Sequence, residues 1–237
     1  MNLIPRGLIV SLTPSPQSPW HHVDDVVRLA AAARAGGAVA VKVDGPDAVR
    51  AVKRAVPGLP LLAVSIDGSH GGVVRITPTP AHAAALVDAG ADVVELEADS
   101  AARRHDGQDL SELIASFVAL GRPVKAGVPG IGDARTAVAA GAAIVSSSTM
   151  GYPAKADTGP LPDLGLVEGL VAAAGVPVVA ERGYSTPDDV RAAFAAGAHA
   201  VVVGSAIVDP VWLTARFAGA SHATAPARRM TPAGGPA

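Results

Sequence analysis

The sequence predicts a single (β/α)8 TIM barrel, an α/β fold in which eight parallel strands alternate with helices. Three observations predict it: eight short apolar runs recur along the chain, a segment with helical spacing follows each run, and the runs are almost continuously apolar. Strands buried on both faces have this pattern, and eight such units in 237 residues favour closure of the sheet into a barrel. An open doubly wound sheet is the alternative fold.

The eight predicted strands share a start signal, because a glycine or a proline opens each apolar run. Glycine can end a helix with a left-handed cap, and proline ends a helix because it has no N–H to donate. The runs begin at Gly7, Gly37, Pro60, Gly90, Pro123, Gly141, Pro177 and Gly197.

Helical segments are predicted between these runs, because they carry Ala, Leu and Val at helical spacing. The expected helices are His22 to Arg34, Pro46 to Ala55, Pro80 to Asp88, Leu110 to Leu120, Asp133 to Ala140, Leu164 to Ala173, Pro187 to Ala195 and Pro210 to Ala218.

The domain prediction is one barrel over residues 1–220, followed by a disordered tail over residues 221–237. The tail consists mainly of Ala, Pro, Gly and Arg and has no apolar period. Two connections are long for this fold, from Asp67 to Val74 and from Thr149 to Pro162. Both follow strands on the face where barrel active sites lie, so we interpret them as candidate lids.

Composition excludes several classes of function. The chain has no cysteine, which excludes disulfides, thiol nucleophiles and cysteine-bound metals. A net charge of −2 gives no reason to expect nucleic acid or membrane as a partner, and no apolar stretch reaches the roughly 18 residues that span a bilayer. The seven histidines are not grouped at ligand spacing, so we expect no metal site. We expect a cytoplasmic protein with a small-molecule substrate, and a homodimer is one oligomeric state left open.

Acids and amines at the predicted strand ends are the candidates for chemistry. Because side chains alternate along a strand, Lys42 is expected to face the barrel axis, and Glu95 and Glu97 to share one face of the fourth strand. Lys125 is expected to face inward on the fifth strand, and Glu181 to end the seventh. Burial and mutual attraction in such a mouth shift pKa values, as acid–base chemistry requires, so Glu181, Lys42, Glu97 and Lys125 are candidate catalytic residues. A structural ion pair between Lys125 and Glu95 is the alternative.

Backbone groups after the last two strands form a candidate phosphate site. Gly183 follows the seventh strand, and Gly204 with Ser205 follows the eighth. In (β/α)8 barrels this position, with unpaired N–H groups at a short helix N-terminus, is a frequent phosphate site. The alternative is that these residues only form tight turns. Arg103 and Arg104 are expected on a solvated helix face.

Short motifs, taken in order, resemble a known family. They are GLIVS at Gly7, AVAV at Ala38, VRITP at Val74, AGAD at Ala89, GY at Gly151 and VGSAI at Val203. Together with the acids and amines above they resemble the N-acetylmannosamine-6-phosphate 2-epimerases, bacterial TIM-barrel enzymes of amino-sugar catabolism. The resemblance implies a cofactor-free epimerisation at the carbon that bears the acetamido group. A lysine would abstract the proton next to the open-chain carbonyl, and a carboxylate would bind and polarise the substrate.

The resemblance also implies roles for individual positions. The family's carboxylate is kept as Glu181, and the acid that ends the fourth strand is kept in kind as Glu97. The resemblance also implies substrate contacts at Thr13, Arg75, Arg182 and Tyr152.

Other positions depart from the family. The family's catalytic lysine falls on Ile66, which cannot take a proton, and its strand-five aspartate falls on Gly127. Its second-strand arginine falls on Lys42, and its Gly-Arg pair is inverted as Arg182–Gly183. An arginine that would bind the phosphate falls on Asp209, whose charge has the opposite sign.

Three hypotheses follow for the function. The first is an epimerase of this family that acts on an amino-sugar phosphate with Lys42 or Lys125 as a relocated base. The second is a diverged member that runs another cofactor-free reaction, such as isomerisation, cyclisation or elimination, on an unphosphorylated substrate, for example a biosynthetic one. The third is a sugar-binding barrel without catalysis.

Overall fold

The predicted barrel is confirmed in a computed structural model that describes residues 4–14, 18–70, 73–147 and 161–222. Its strands are β1 (Gly7–Leu12), β2 (Ala40–Asp44), β3 (Leu61–Val64), β4 (Ile66–His70), β5 (Val73–Ile76), β6 (Val93–Glu97), β7 (Val124–Gly127), β8 (Ile144–Ser146), β9 (Val178–Ala180) and β10 (Ala200–Val203). Eight of them form a closed barrel in the order β1, β10, β9, β8, β7, β6, β3, β2, and all pairs in the barrel are parallel. Each of the eight lies in one of the predicted apolar runs.

Helices cover the outside of the barrel between the strands. They are α1 (Val23–Ala35), α2 (Pro46–Ala55), α3 (Pro80–Asp88), α4 (Ser100–His105), α5 (Leu110–Val118), α6 (Ile131–Ala139), α7 (Leu164–Ala173), α8 (Pro187–Ala195), α9 (Ser205–Val208) and α10 (Pro210–His222). The eight predicted helices are all present. Helices α4 and α9 are additional, and each is too short to show a helical period in the sequence. The α4 helix begins because the Asp99 side chain accepts hydrogen bonds from its first N–H groups.

One predicted loop is instead a hairpin. Strands β4 and β5 pair antiparallel, with Ile66 opposite Ile76 and Asp67 opposite Arg75. Glycines between the two strands made this segment look like an irregular loop. The hairpin carries Arg75 toward the end of β6, as described below. The second predicted loop lies outside the described residues except for Leu161 and Pro162.

The core has two layers that follow the alternation of side chains along the strands. A large outer layer packs strands against helices, and it includes Val41, Val94, Val145 and Ala180. A smaller inner layer fills the barrel and consists of Ile4, Ile9, Ala40, Leu62, Val93, Ile144, Val179, Ala200 and Val202. Residues two positions further along each strand also face inward, nearer the C-terminal mouth. Several side chains at this second inner level are polar or charged.

The last helix continues to His222, two residues beyond the predicted domain boundary, and residues 223–237 lie outside the described residues. Among the described helices, none has both the length and the apolar character that crossing a bilayer requires.

Candidate active site

Four charged side chains meet inside the barrel, and three of them follow an inner apolar residue by two positions. Lys42 follows Ala40 on β2, and Glu95 follows Val93 on β6. Glu181 comes directly after β9, and Lys125 lies on β7 opposite Glu95. Alternation therefore places Lys42, Glu95 and Glu181 on the barrel axis. Lys125 faces inward beside Glu95, so the predicted orientation of both lysines is confirmed.

These four side chains, here called the tetrad, form a closed ring of opposite charges. The Lys42 ammonium donates to Glu95 Oε1 at 2.8 Å and to Glu181 Oε1 at 2.5 Å. The Lys125 ammonium donates to Glu181 Oε2 at 2.7 Å and lies 2.9 Å from Glu95 Oε1. The Lys125 side chain is 0% exposed, and the other three are at most 10% exposed. Two buried ammonium groups thus balance two buried carboxylates, and the predicted Lys125–Glu95 pair is part of this larger network.

Electrostatics fix the charge states of two tetrad members. Burial works to lower the pKa of Lys42, but the carboxylates of Glu181 and Glu95 outweigh it and raise that pKa. Burial likewise works to raise the pKa of Glu181, but the ammonium groups of Lys125 and Lys42 outweigh it and lower that pKa. Lys42 is therefore an ammonium and Glu181 a carboxylate at neutral pH. The Lys42 ammonium has no lone pair to accept a proton, and the lowered pKa of Glu181 makes its carboxylate a weak base.

Glu97 lies two residues nearer the mouth than Glu95 on the same strand, and its pKa is shifted in the opposite direction to that of Glu181. Its side chain is 2% exposed, and burial raises its pKa from 4.5 to about 7 despite the nearby guanidinium groups of Arg103 and Arg75. Arg75 Nη1 lies 3.8 Å from Glu97 Oε2, while its other nitrogens bind Asp106 at 2.5 and 3.0 Å. The Oε2 atom of Glu97 has no hydrogen-bond partner. Glu97 is thus a carboxyl group that takes and releases a proton near neutral pH.

The expectation that Arg103 lies on a solvated helix face is wrong. Arg103 is 0% exposed, and its guanidinium donates to the backbone carbonyls of Glu97, Ile76 and Pro78. It joins the end of β6 to the end of the hairpin, and these two segments carry Glu97 and Arg75. The adjacent Arg104 is exposed, so the sequence contained no signal that separates the two arginines.

Ser147, directly after β8, and Ser11, near the end of β1, also support the site, and sequence reasoning missed them. The Ser147 hydroxyl donates to the carbonyl of Glu181 at 3.2 Å and accepts from its N–H at 3.1 Å. These two bonds hold the backbone of Glu181 at the point where β9 ends. Ser11 and Thr13 share a hydrogen bond of 3.0 Å at the end of β1, so the predicted contact residue Thr13 lies at the mouth.

Arg182 and Gly183, two predicted ligand contacts, follow Glu181 directly. Arg182 is half-buried and has a left-handed backbone with φ of 79°, a conformation that favours glycine. The backbone therefore suits the glycine that the resemblance implies for this position. Gly183 has φ of 86°, and a Cβ there would lie 2.6 Å from the Cβ of Leu161, so only glycine fits.

The remaining predicted contacts fall in different places. Gly204 lies beside Ser11 and immediately precedes α9, whose first residue is Ser205. The N–H groups of a first helical turn have no partner within the helix. Tyr152 lies outside the described residues.

Two positions that the resemblance interprets as departures, Ile66 and Asp209, have structural roles of their own. The N–H of Ile66 donates to the Asp44 carboxylate at 2.9 Å, where the hairpin leaves β3. The Asp209 carboxylate accepts from the N–H groups of Val211 and Trp212 at 3.0 and 3.1 Å, so it caps α10. In the part of the chain that the structure describes, no three His, Asp or Glu side chains gather as a metal site.

The fold and this site define a class of protein, a (β/α)8 barrel with acid–base groups at the C-terminal ends of its strands. Residues 26–223 match the protein-family model NanE, described as "Putative N-acetylmannosamine-6-phosphate epimerase", and the chain belongs to this family. The resemblance stated from the sequence is therefore confirmed. The predicted enzyme class agrees with it, because epimerases are isomerases.

Individual relatives give the same result. A Cutibacterium acnes protein named "Putative N-acetylmannosamine-6-phosphate 2-epimerase" is 38% identical over 214 residues, which are 89% of this chain and 92% of that protein. The structure of N-acetylmannosamine-6-phosphate 2-epimerase from Clostridium perfringens matches with a TM-score of 0.81 and 28% identity, covering 90% of this chain and 92% of the other. The bifunctional enzyme NanE/NanK of Brucella melitensis is 37% identical over 227 residues, and this chain spans only 42% of its length.

Proposed function

We propose that this protein epimerises an amino-sugar phosphate of the N-acetylmannosamine 6-phosphate type at C2, without a cofactor. Family membership supports the reaction class. The observation that carries the proposal is Glu97, a buried carboxyl at the barrel mouth with one oxygen that has no hydrogen-bond partner and a pKa raised to about 7. Such a group fits proton transfer at neutral pH, which C2 epimerisation requires.

In this proposal Glu97 takes the role that the sequence assigned to a relocated lysine. Glu97 removes the proton from C2, and the electron pair of the C–H bond moves toward the C1 carbonyl to give an enolate. A proton from solvent adds to the opposite face of C2 and inverts that centre, and Glu97 then releases the abstracted proton to solvent. The raised pKa of Lys42 argues against this lysine as the base, because an ammonium group has no lone pair to accept a proton.

The tetrad has an electrostatic role in the same scheme. The negative charge that develops on the C1 oxygen is stabilised by cations held in place before the reaction. Lys42 and Lys125 are two such cations, and Glu181 binds both of them. Glu181 therefore sets the position of the ammonium groups and, as the resemblance implies, binds the substrate.

The phosphate is assigned to the backbone at Gly183, Gly204 and Ser205. Support comes from the positions of these residues after β9 and β10, the last two barrel strands, and from the short helix that begins at Ser205. The side chains assigned to contact the rest of the substrate are Thr13, Arg75, Arg182 and Tyr152.

Hydrogen exchange tests the reaction. Incubation with N-acetylmannosamine 6-phosphate in heavy water should place deuterium at C2, because the proton that adds to C2 comes from solvent. The Glu181→Gln variant should lose both exchange and epimerisation by at least about a hundredfold, because it removes the charge that holds both lysines. Absence of C2 deuterium with the unmodified protein contradicts the proposal, and full activity in Glu181→Gln contradicts the role of the tetrad.

The charge of Asp209 gives a test of the phosphate site alone. Asp209 caps α10, and its N–H bonds to the carbonyl of Ser205, one helical turn away. The Asp209→Asn variant keeps a capping oxygen but removes a charge that repels phosphate. We expect it to bind the sugar phosphate several-fold more tightly by calorimetry, with no change for the unphosphorylated sugar. Equal affinities for the phosphate ester in both proteins would mean that the phosphate lies elsewhere.

The same aspartate favours a second candidate function, a different cofactor-free reaction on an unphosphorylated substrate. A carboxylate one turn from the assigned phosphate donors lowers affinity for anions. This second function predicts tighter binding of N-acetylmannosamine than of its 6-phosphate. The epimerase proposal predicts the reverse order.

A further inference from the structure

Four buried side-chain polar atoms have no hydrogen-bond partner within the described part of the chain, and three of them face the barrel interior. The three are Glu95 Oε2, Glu97 Oε2 and Ser146 Oγ. The fourth, the hydroxyl of Tyr184, packs with the outer core. Buried polar atoms nearly always have a hydrogen-bond partner, so three without one in a single compartment call for an explanation. Of the three, Glu97 Oε2 has an ion pair, with Arg75 Nη1 at 3.8 Å.

The strand register places Ser146 and Glu97 at the same level of the barrel, two strands apart, and Glu95 lies two residues before Glu97 on the same face of β6. Ser146 faces inward because it follows the inner-layer residue Ile144 by two positions. Glu97 is the register partner of Gly127 on β7, and Gly127 is in turn the partner of Ser146 on β8. Glycine has no side chain, so β7 places no side chain between Glu97 and Ser146 at this level.

The chemistry of the three atoms selects the ligand. Ionised carboxylate oxygens only accept hydrogen bonds, whereas a serine hydroxyl can donate and accept. The matching ligand brings at least two O–H donors on neighbouring carbons, which describes the hydroxyl chain of an open-chain sugar. Glu95 is already held through its other oxygen by Lys42 and Lys125, so its free oxygen has a fixed position.

We propose that Ser146 and Glu95 form a hydroxyl-binding subsite beside Glu97, in which Ser146 is a specificity-determining contact for a hydroxyl group adjacent to the reacting carbon. The inference rests on the proposed function, because it takes the substrate to be an open-chain amino-sugar phosphate. With C2 facing Glu97, the hydroxyl groups at C3 and C4 meet Ser146 and Glu95. A ligand that lacks such a hydroxyl leaves the protein atoms unpaired, and sites of this kind therefore discriminate strongly.

Equilibrium binding of a ligand that cannot react tests the subsite. N-acetylmannosaminitol 6-phosphate is open-chain and has no carbonyl, so its binding does not depend on turnover. The unmodified protein should bind it roughly five- to tenfold more tightly than either its 3-deoxy or its 4-deoxy form, the value of one hydrogen bond. The Ser146→Ala variant should bind the parent polyol more weakly by the same factor. It should bind the parent and the deoxy form that lacks the hydroxyl contacted by Ser146 equally well.

A matched control removes a serine hydroxyl elsewhere. The Ser116 hydroxyl bonds to the Leu113 carbonyl within α5, so Ser116→Ala should leave all affinities unchanged. If Ser146→Ala fails to fold, Ser146→Gly serves the same purpose. The subsite is overturned if the Ser146 variant keeps the full preference for the parent polyol, or if the unmodified protein does not bind the polyol. Binding as expected together with no C2 deuterium would contradict only the proposed function.

Discussion

Replacing Glu97 by glutamine should lower kcat/KM for epimerisation by at least about a hundredfold, because a general base contributes roughly that much or more. Glutamine has nearly the same shape and keeps one carbonyl oxygen, but it cannot take the C2 proton. The backbone anchor of this position should survive, since Arg103 binds the carbonyl of Glu97 and not its side chain. The measurement is the rate of epimerisation followed by NMR, together with circular dichroism to confirm the fold.

The pH dependence of the same variant should separate a catalytic role from a structural one. The pKa of Glu97 is raised to about 7 in the folded protein from an ordinary value of 4.5. Between these two pKa values the folded protein keeps a proton that the unfolded chain has released. The protonated Glu97 therefore contributes stability that is full below pH 4.5 and is lost as the pH rises through 7. Activity should follow the opposite direction, rising with the ionised base up to a plateau above pH 7.

Glu97→Gln should remove both dependences, so the variant loses activity but gains stability relative to the parent at pH 8. Glu168 is an exposed glutamate on α7, and Glu168→Gln is the control that should change neither profile. A variant of Glu97 that retains the activity profile of the parent would exclude this residue as the base.

Replacing Lys125 by methionine should give the largest loss of stability, about 3–5 kcal/mol in the free energy of unfolding. The change leaves the carboxylates of Glu95 and Glu181 with a single ammonium, that of Lys42, inside a barrel where the Lys125 side chain is 0% exposed. An unbalanced buried charge is costly because the interior cannot solvate it. Denaturant unfolding monitored by circular dichroism measures the effect.

Charge balance rather than volume should decide this outcome. The double variant Lys125→Met/Glu95→Gln keeps the Lys42–Glu181 pair neutral as a unit, and it should recover most of the lost stability. Lys53, whose pair with Asp92 is partly exposed, offers a surface comparison: Lys53→Met should lower stability by no more than about 1 kcal/mol. Equal losses from Lys125→Met and Lys53→Met would show that the tetrad is not a desolvated network.

The tetrad supplies its two cations from strands other than the segment that carries Ile66. An isoleucine stands where the resemblance implies a lysine, and its backbone helps to anchor the hairpin through Asp44. The cations instead come from Lys42 and Lys125 on two other strands, and both are bound by carboxylates. The proton-transfer group that remains in a suitable state is Glu97.

The sequence alone determined the barrel and the direction of its polar side chains. Apolar runs opened by glycine or proline located all eight barrel strands, because strands buried on both faces must be apolar and must be separated by breakers. Alternation along the strand then predicted that Lys42 and Lys125 face inward and that Glu95 and Glu97 share one face, and Glu181 was predicted to end the seventh strand. Both inferences are local, since each depends only on residues close together in the chain.

The tertiary structure alone decided which of these charges compensate one another and which group is left to carry a proton. The two lysines and two glutamates come from four separate strands, and their charge states depend on distances of 2.5 to 2.9 Å that strand closure creates. The burial of Arg103 beside an exposed Arg104, the hairpin that carries Arg75, and the unpaired hydroxyl of Ser146 were likewise invisible in the sequence. Burial and electrostatic coupling are properties of all the neighbours that folding brings together, and a residue's own sequence context does not contain them.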